Sequence, residues 1–222
     1  MLEDDGIFIL EHADLKSIIN SKMFDTICHE HLEYYSTKVI LDLCKKNGLV
    51  VFDIKKNNIN GSSKQYYVCR ENSDYEINNK VIRSELNVEK KLKLTEVKTF
   101  KKFIKEINSS RDDLVRLLKK INKSGKKVHC YGASTKGNVL LQYFNIDNKV
   151  INYAAERNKN KYNLYTPGSN IKIISEILSR FHKPDYYLVL PWHFKNEILE
   201  RERLIRKKGT KFIFPLPKLK IV

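Results

Sequence analysis

The stretch "VHCYGASTKGNVLLQYF", Val128 to Phe144, decides how the chain is read. "VHCY" has the composition of a short strand, Gly132 allows a tight turn, and the run from Thr135 has helical spacing. Working outward, "VINYAAE", "DYYLVLP" and "KFIFPLP" read as further strands, with "ISEILSRF" and "FKNEILERERLIRKKG" as helices between them. Strands alternating with helices indicate a parallel α/β sheet of right-handed crossovers. Such sheets take ligands at the carboxyl ends of their strands, which is where "GASTKGN" falls.

That turn has chemistry as well as shape. Ser134, Thr135 and the helix N-terminus offer donors to an anion, and Lys136 adds a charge. The pattern is neither GxGxxG nor a Walker loop, because Gly132 and Gly137 stand five apart and no GK[ST] follows. A plain strand-to-helix turn explains it equally well. Farther along, "PWH" puts Trp192 and His193 at the end of a buried strand, with Trp192 more naturally core than ligand stacker. "NLYTPGS" (Asn163–Ser169) is a loop by composition and a candidate lid over the same edge.

Upstream, "GIFILEH" reads as a buried strand and "LKSIINSKMF" as a short helix. Ser36 can cap a helix whose apolar positions Val39, Ile40 and Leu43 share a face, with Gly48 as its C′ residue. "LVVFDIKKNNI" and "SKQYYVCRE" suggest an antiparallel hairpin at a mixed-sheet edge. From about residue 72 to 125 the chain is polar and helical, one long helix or two bridging two sub-domains.

The most polar motif is "FDTICHEHLEYYS", Phe24 to Ser36. His29 and His31 are an HxH pair without a third or fourth ligand, and Glu33 stands where HExxH needs its second histidine. A Cys28–His nucleophile pair lacks an oxyanion motif. A general base beside a carboxylate is the better chemical reading, with Tyr34 and Tyr35 as donors to an oxyanion. A solvated helix-end cluster is the structural alternative.

Composition narrows the classes. The 222 residues are 41% hydrophobic, as in a folded globular protein, and no apolar run approaches the roughly 20 residues of a membrane helix. The acidic start "MLEDDG" is unlike a secretory signal, so the cytoplasm is expected. Cys28, Cys44, Cys69 and Cys130 show no CxxC pairing, and no metal is expected. The net charge of +16 raises nucleic acid, but Lys (33) far outnumbers Arg (9), and Lys, Asn and Ile are all inflated as in an A/T-rich coding sequence. Charge runs from −3 over residues 1–60 to +8 over 61–126 and +11 over 127–222. A basic C-terminal half suits an anionic nucleotide as well as DNA, and nucleic acid is disfavoured.

Taken together, "FDTICHEHLEYYS", "YGASTKGNVLLQYF", "RNKNKYNLYTPGSNIKII", "PDYYLVLPWHFKNEIL" and "GTKFIFPLP" resemble the sugar C-methyltransferases, in that family's order and over nearly the whole chain. These enzymes use S-adenosylmethionine to methylate a ring carbon of a nucleotide-linked keto-deoxysugar. The resemblance implies an α/β chain: a remnant of a class I methyltransferase sheet (residues 1–71), a helical bridge (72–125) and a Rossmann-like parallel C-terminal domain (126–222). It implies His31 as the base that removes the proton alpha to the ketone, with Glu30 beside it. His29, Tyr34, Tyr35, Ser134, Thr135, Lys136, Asn138 and His193 would bind the nucleotide-diphosphate keto-sugar.

The chain departs from the family pattern at several points. Cys28 stands where relatives have a tyrosine, "GSSK" (Gly61–Lys64) replaces a Gly-Gly-Ser-Leu-Arg turn, and Glu156 replaces an aspartate. No Gly-rich cofactor loop and no zinc cysteines occur. Roughly the first half of a full-length member is thus expected to be missing, as in a split gene product or a piece of a longer protein. In the first case a separate chain is expected to carry the zinc-binding and cofactor-binding half. The alternative expectation is a catalytically incomplete nucleotide-sugar-binding module.

Overall fold

A computed structural model describes residues 2–57 and 61–222. The end of the expected "LVVFDIKKNNI" strand, Asn58 and Ile59, lies outside them. The chain divides into two compact units, Met1–Asn20 with Leu32–Ile104, and Ser21–His31 with Lys105–Val222.

The first unit is built on an antiparallel sheet of order β1-β3-β2. β1 (Phe8–Ala13) pairs with β3 (Ser63–Arg70), and β3 pairs with β2 (Leu49–Asn57) in a hairpin with an irregularity between Val51 and Asp53. All the pairings are antiparallel, so the hairpin borders no mixed sheet. β1 is also not a buried strand. It lies at the sheet edge, with Phe8 48% and Ile9 53% exposed.

Helix α1 (Leu15–Asn20) follows β1, and α2 (Thr37–Lys46) is capped as expected, the Ser36 hydroxyl accepting the Val39 N–H. Gly48, at φ +67°, follows the helix end in the left-handed conformation that favours glycine. Its buried face differs from expectation. Thr37 and Ile40 are buried with Cys44 half-buried, while Val39 and Leu43 are exposed. Ile40 packs with Val51, Ile54, Tyr66 and Val68. Helix α3 (Asn79–Leu92) covers this core through Val81 and Ile82.

Beneath α3 lies a fully buried cation. Lys64 Nζ reaches Asp14 at 2.9 Å, Glu85 at 2.8 Å and the Thr37 hydroxyl at 2.8 Å. Glu89, also buried, accepts the Thr37 and Lys38 N–H groups at the start of α2.

Helix α4 (Val97–Lys123) runs from the first unit into the second. The polar region therefore holds two helices, and the buried stripe of α4 is Phe103, Ile107, Leu114, Leu118 and Ile121.

The second unit is the expected parallel α/β sheet, of order β6-β5-β4-β7-β8-β9. Its strands are β4 (Val128–Tyr131), β5 (Tyr153–Glu156), β6 (Ile173–Ser175), β7 (Tyr186–Val189), β8 (Lys211–Phe214) and β9 (Lys220–Ile221). Helix α5 (Thr135–Tyr143) joins β4 to β5, and α6 (Glu176–Phe181) joins β6 to β7. Two strands escaped the sequence reading. β6 occupies the start of what reads as one helix, and β9 pairs antiparallel with β8 after the prolines.

The expected last helix is divided into α7 (Lys195–Arg201) and α8 (Arg203–Lys207). Glu202 between them is 3% exposed and turned inward. Its carboxylate accepts the Tyr131 hydroxyl at 2.7 Å and Arg180 at 2.6 Å. A buried carboxylate needs such partners, and the helix breaks to provide them.

Candidate functional site

Chain order runs outward from β4 to β5 and β6, then returns to β7 and β8 on the other side, so the crevice lies at the carboxyl ends of β4 and β7. Gly132 ends β4 at φ +87°, and a Cβ there would meet Pro191 at 3.0 Å. Ser134 caps α5 by accepting the Gly137 N–H at 3.2 Å. Gly137 lets α5 sit against the β7 exit, since a Cβ would lie 2.7 Å from Leu190. Glu156 at the end of β5 accepts the N–H groups of Ala133, Arg157 and Asn158 at 2.8, 2.8 and 3.0 Å, tying the two turns together. Between them opens a cavity of about 500 Å³ lined in part by Ser134, Glu156, Arg157, Phe194 and Arg201.

Segment Ser21–His31 belongs to this unit although it lies far upstream. Its 3-10 turn (Phe24–Thr26) stacks the Phe24 ring on Phe144 with centroids 5.0 Å apart. Buried Asp25 accepts the Trp192 indole N–H at 2.8 Å. His31 lies at the exposed end, its Nδ1 2.8 Å from the Thr26 carbonyl oxygen. A carbonyl only accepts, so Nδ1 carries the proton and Nε2 the lone pair. In that tautomer Nε2 is the nitrogen that can take a proton.

The surrounding charges follow from solvation. Glu30 is exposed and held below the usual carboxylate range, first by a hydrogen bond from the Cys28 thiol, with smaller help from His29 and Thr135. Burial pushes the Cys28 thiol up, and Glu30 adds to that. Burial draws the Lys136 ammonium down, opposed by Asp25 and Cys28. His193 is pushed down to about 4 by burial and by the Lys136 charge, and its Nδ1 is buried without a hydrogen-bond partner. The Asn138 Oδ1 and Asp25 Oδ1 atoms are likewise buried and unpartnered.

Of the residues singled out from sequence, His29, Glu30, His31, Ser134, Thr135, Lys136, Asn138 and His193 fall in this one unit. Tyr34 and Tyr35 fall in the other, where the Tyr35 hydroxyl donates to Glu33 and its ring packs on His12. The expected lid is not one. "NLYTPGS" lies at the opposite, amino edge of the sheet, where Gln142 donates to the Pro167 carbonyl and Thr166 and Ser169 are buried together. Asp25, Arg157 and Arg201 were missed. Their only sequence signal is a lone acid in an aromatic turn and arginines in a basic background.

Among the described residues no three or more His, Cys, Asp or Glu side chains gather as a metal site, and no helix is long and apolar enough to cross a membrane.

Comparison with known families supplies the class, a C-methyltransferase C-terminal domain. Residues 58–217 match the family model for the C-methyltransferase C-terminal domain, and the chain belongs to that family. Over all 222 residues it is 30% identical to the C-methyltransferase NovU of Streptomyces niveus, and it spans about half (53%) of that relative's length.

Methyltransferases of this kind imply S-adenosylmethionine. The two glycines flanking the α5 turn do not cradle it, because each is filled by the protein's own Pro191 or Leu190. These residues do not fit the cofactor.

Proposed function

We propose that this chain is the substrate-binding and proton-abstracting part of a sugar C-methyltransferase. His31 removes the proton alpha to the ketone of a nucleotide-linked keto-deoxysugar through Nε2, giving an enolate whose carbon is the site of methylation. The observation that carries the reading is the 2.8 Å bond from His31 Nδ1–H to the Thr26 carbonyl, which assigns the basic lone pair to Nε2. Glu30 stays ionised beside it, held so by Cys28. The turn of Ser134, Thr135 and Lys136, with Asn138 and His193, would receive the diphosphate end of the substrate, and the cavity beside it has the volume of a small-molecule site. His29, in the same unit, completes the proposed substrate contacts. S-adenosylmethionine would be held by the zinc-binding and cofactor-binding half, whether that precedes this sequence in one polypeptide or is a separate chain.

Co-expression with such a chain and an assay of methyl transfer to nucleotide keto-sugars tests this. His31→Gln should lower the rate by roughly 10²–10⁴-fold, the usual worth of a general base. Unchanged turnover would remove His31 from the mechanism. The absence of a glycine cradle beside the cavity favours one second reading, a nucleotide-sugar-binding module without catalysis. Calorimetry would then show nucleoside-diphosphate binding, and the paired chains would show no turnover.

A further inference from the structure

We propose that Trp192 is a positioning residue for His31, acting through the buried carboxylate of Asp25; this rests on the reading of His31 as the base. Trp192 follows β7 in a 3-10 turn (Trp192–Phe194), so the parallel sheet itself sets where the indole points. Its Nε1–H donates to Asp25 Oδ2 at 2.8 Å, and both residues are buried, Asp25 at 1% exposure. Asp25 is the central residue of a turn closed by Thr26 N–H to Met23 O and Ile27 N–H to Phe24 O. The next carbonyl, that of Thr26, receives the His31 Nδ1–H. Sheet, indole, carboxylate, turn and imidazole therefore form one continuous chain of contacts.

Asp25 is a costly way to fill space. Its Oδ1 is buried with no hydrogen-bond partner, and an apolar side chain would pack there without that desolvation cost. The Phe24 ring, stacked on Phe144, already supplies the hydrophobic anchor. What the carboxylate adds is direction: a charge-assisted bond of fixed geometry orients the turn, where stacking alone lets it pivot. The Lys136 charge on α5 acts on Asp25 as well and favours its ionised form.

Nitrogen-15 NMR of the histidine rings tests this on the 222-residue chain. The neutral His31 ring of the wild type should carry its proton on Nδ1. Trp192→Phe and Asp25→Ala should shift His31 to the Nε2–H form that an unconstrained imidazole prefers, while thermal melts stay cooperative. Asp25→Asn keeps an acceptor oxygen and should retain Nδ1–H. The proposal is overturned if either Trp192→Phe or Asp25→Ala keeps the Nδ1–H tautomer. It is equally overturned if both fail to fold, since the pair would then be a requirement of the whole unit. Loss or survival of catalysis in His31→Gln bears on the base reading alone and leaves this ring assignment untouched.

Discussion

At the scale of single residues, Gly137 shows how tightly the turn between β4 and α5 is built. A Cβ there would lie 2.7–2.8 Å from the Leu190 side chain, well inside contact distance. Gly137→Ala should therefore cost about 1–3 kcal/mol through overpacking, although alanine is the better helix former. A melting-temperature series would read the loss, and a stabilised variant would show that α5 can move off the β7 exit. Lys64 is the opposite case, a buried cation that holds three carboxylates. Lys64→Met should cost about 3–5 kcal/mol in denaturant unfolding, because it leaves those charges uncompensated. Little or no loss would mean that the carboxylates repair themselves with Lys16 and Lys56.

At the scale of elements, α5 and the strands on either side of it were readable because alternation of apolar runs with helical spacing is a local property of the chain. Ser36 could be assigned as a cap for the same reason, whereas Ser134, read as an anion donor, is a cap as well. β6 was hidden because "IIS" runs directly into α6, and a three-residue strand carries almost no periodicity. The break at Glu202 was hidden because its cause is tertiary: the partners that draw the carboxylate inward, Tyr131 and Arg180, are 71 and 22 residues away. Glu202→Ala should leave Arg180 half-satisfied and lower the stability of the parallel-sheet unit by about 3–5 kcal/mol, read by the fluorescence of the single tryptophan during urea unfolding. The site was legible in the same partial way. The histidines and the turn announced themselves by residue type, but the pairing of Asp25 with Trp192 joins positions 167 residues apart.

At the scale of the whole molecule, the two units should differ in their response to acid. Buried His129 is held neutral by desolvation, with its titration pushed down to about 4, and His193 is displaced to the same value. A depressed folded pKa gives stability that is complete above the unfolded value near 6.5 and lost as pH falls from there to about 4. For His129 this is on the order of 3 kcal/mol. Burial raises Asp25 and Glu176, which offsets part of the loss. In the antiparallel unit, Glu85 is held at about 2 by the Lys56, Lys64 and Lys16 ammonium groups against the opposing effect of burial. Its contribution fades only as pH falls from about 4.5 to 2. Hydrogen exchange along a pH titration should therefore find the parallel-sheet unit opening first. Simultaneous opening of both units would refute the separation.

The central claim, that His31 is a carbon-acid base, can be measured without the cofactor. Nucleotide-linked keto-deoxysugars incubated with the chain in deuterium oxide should exchange the proton alpha to the ketone, followed by mass spectrometry and NMR, and His31→Gln should lose that exchange. No exchange above buffer across such substrates, or equal exchange by His31→Gln, would contradict the account.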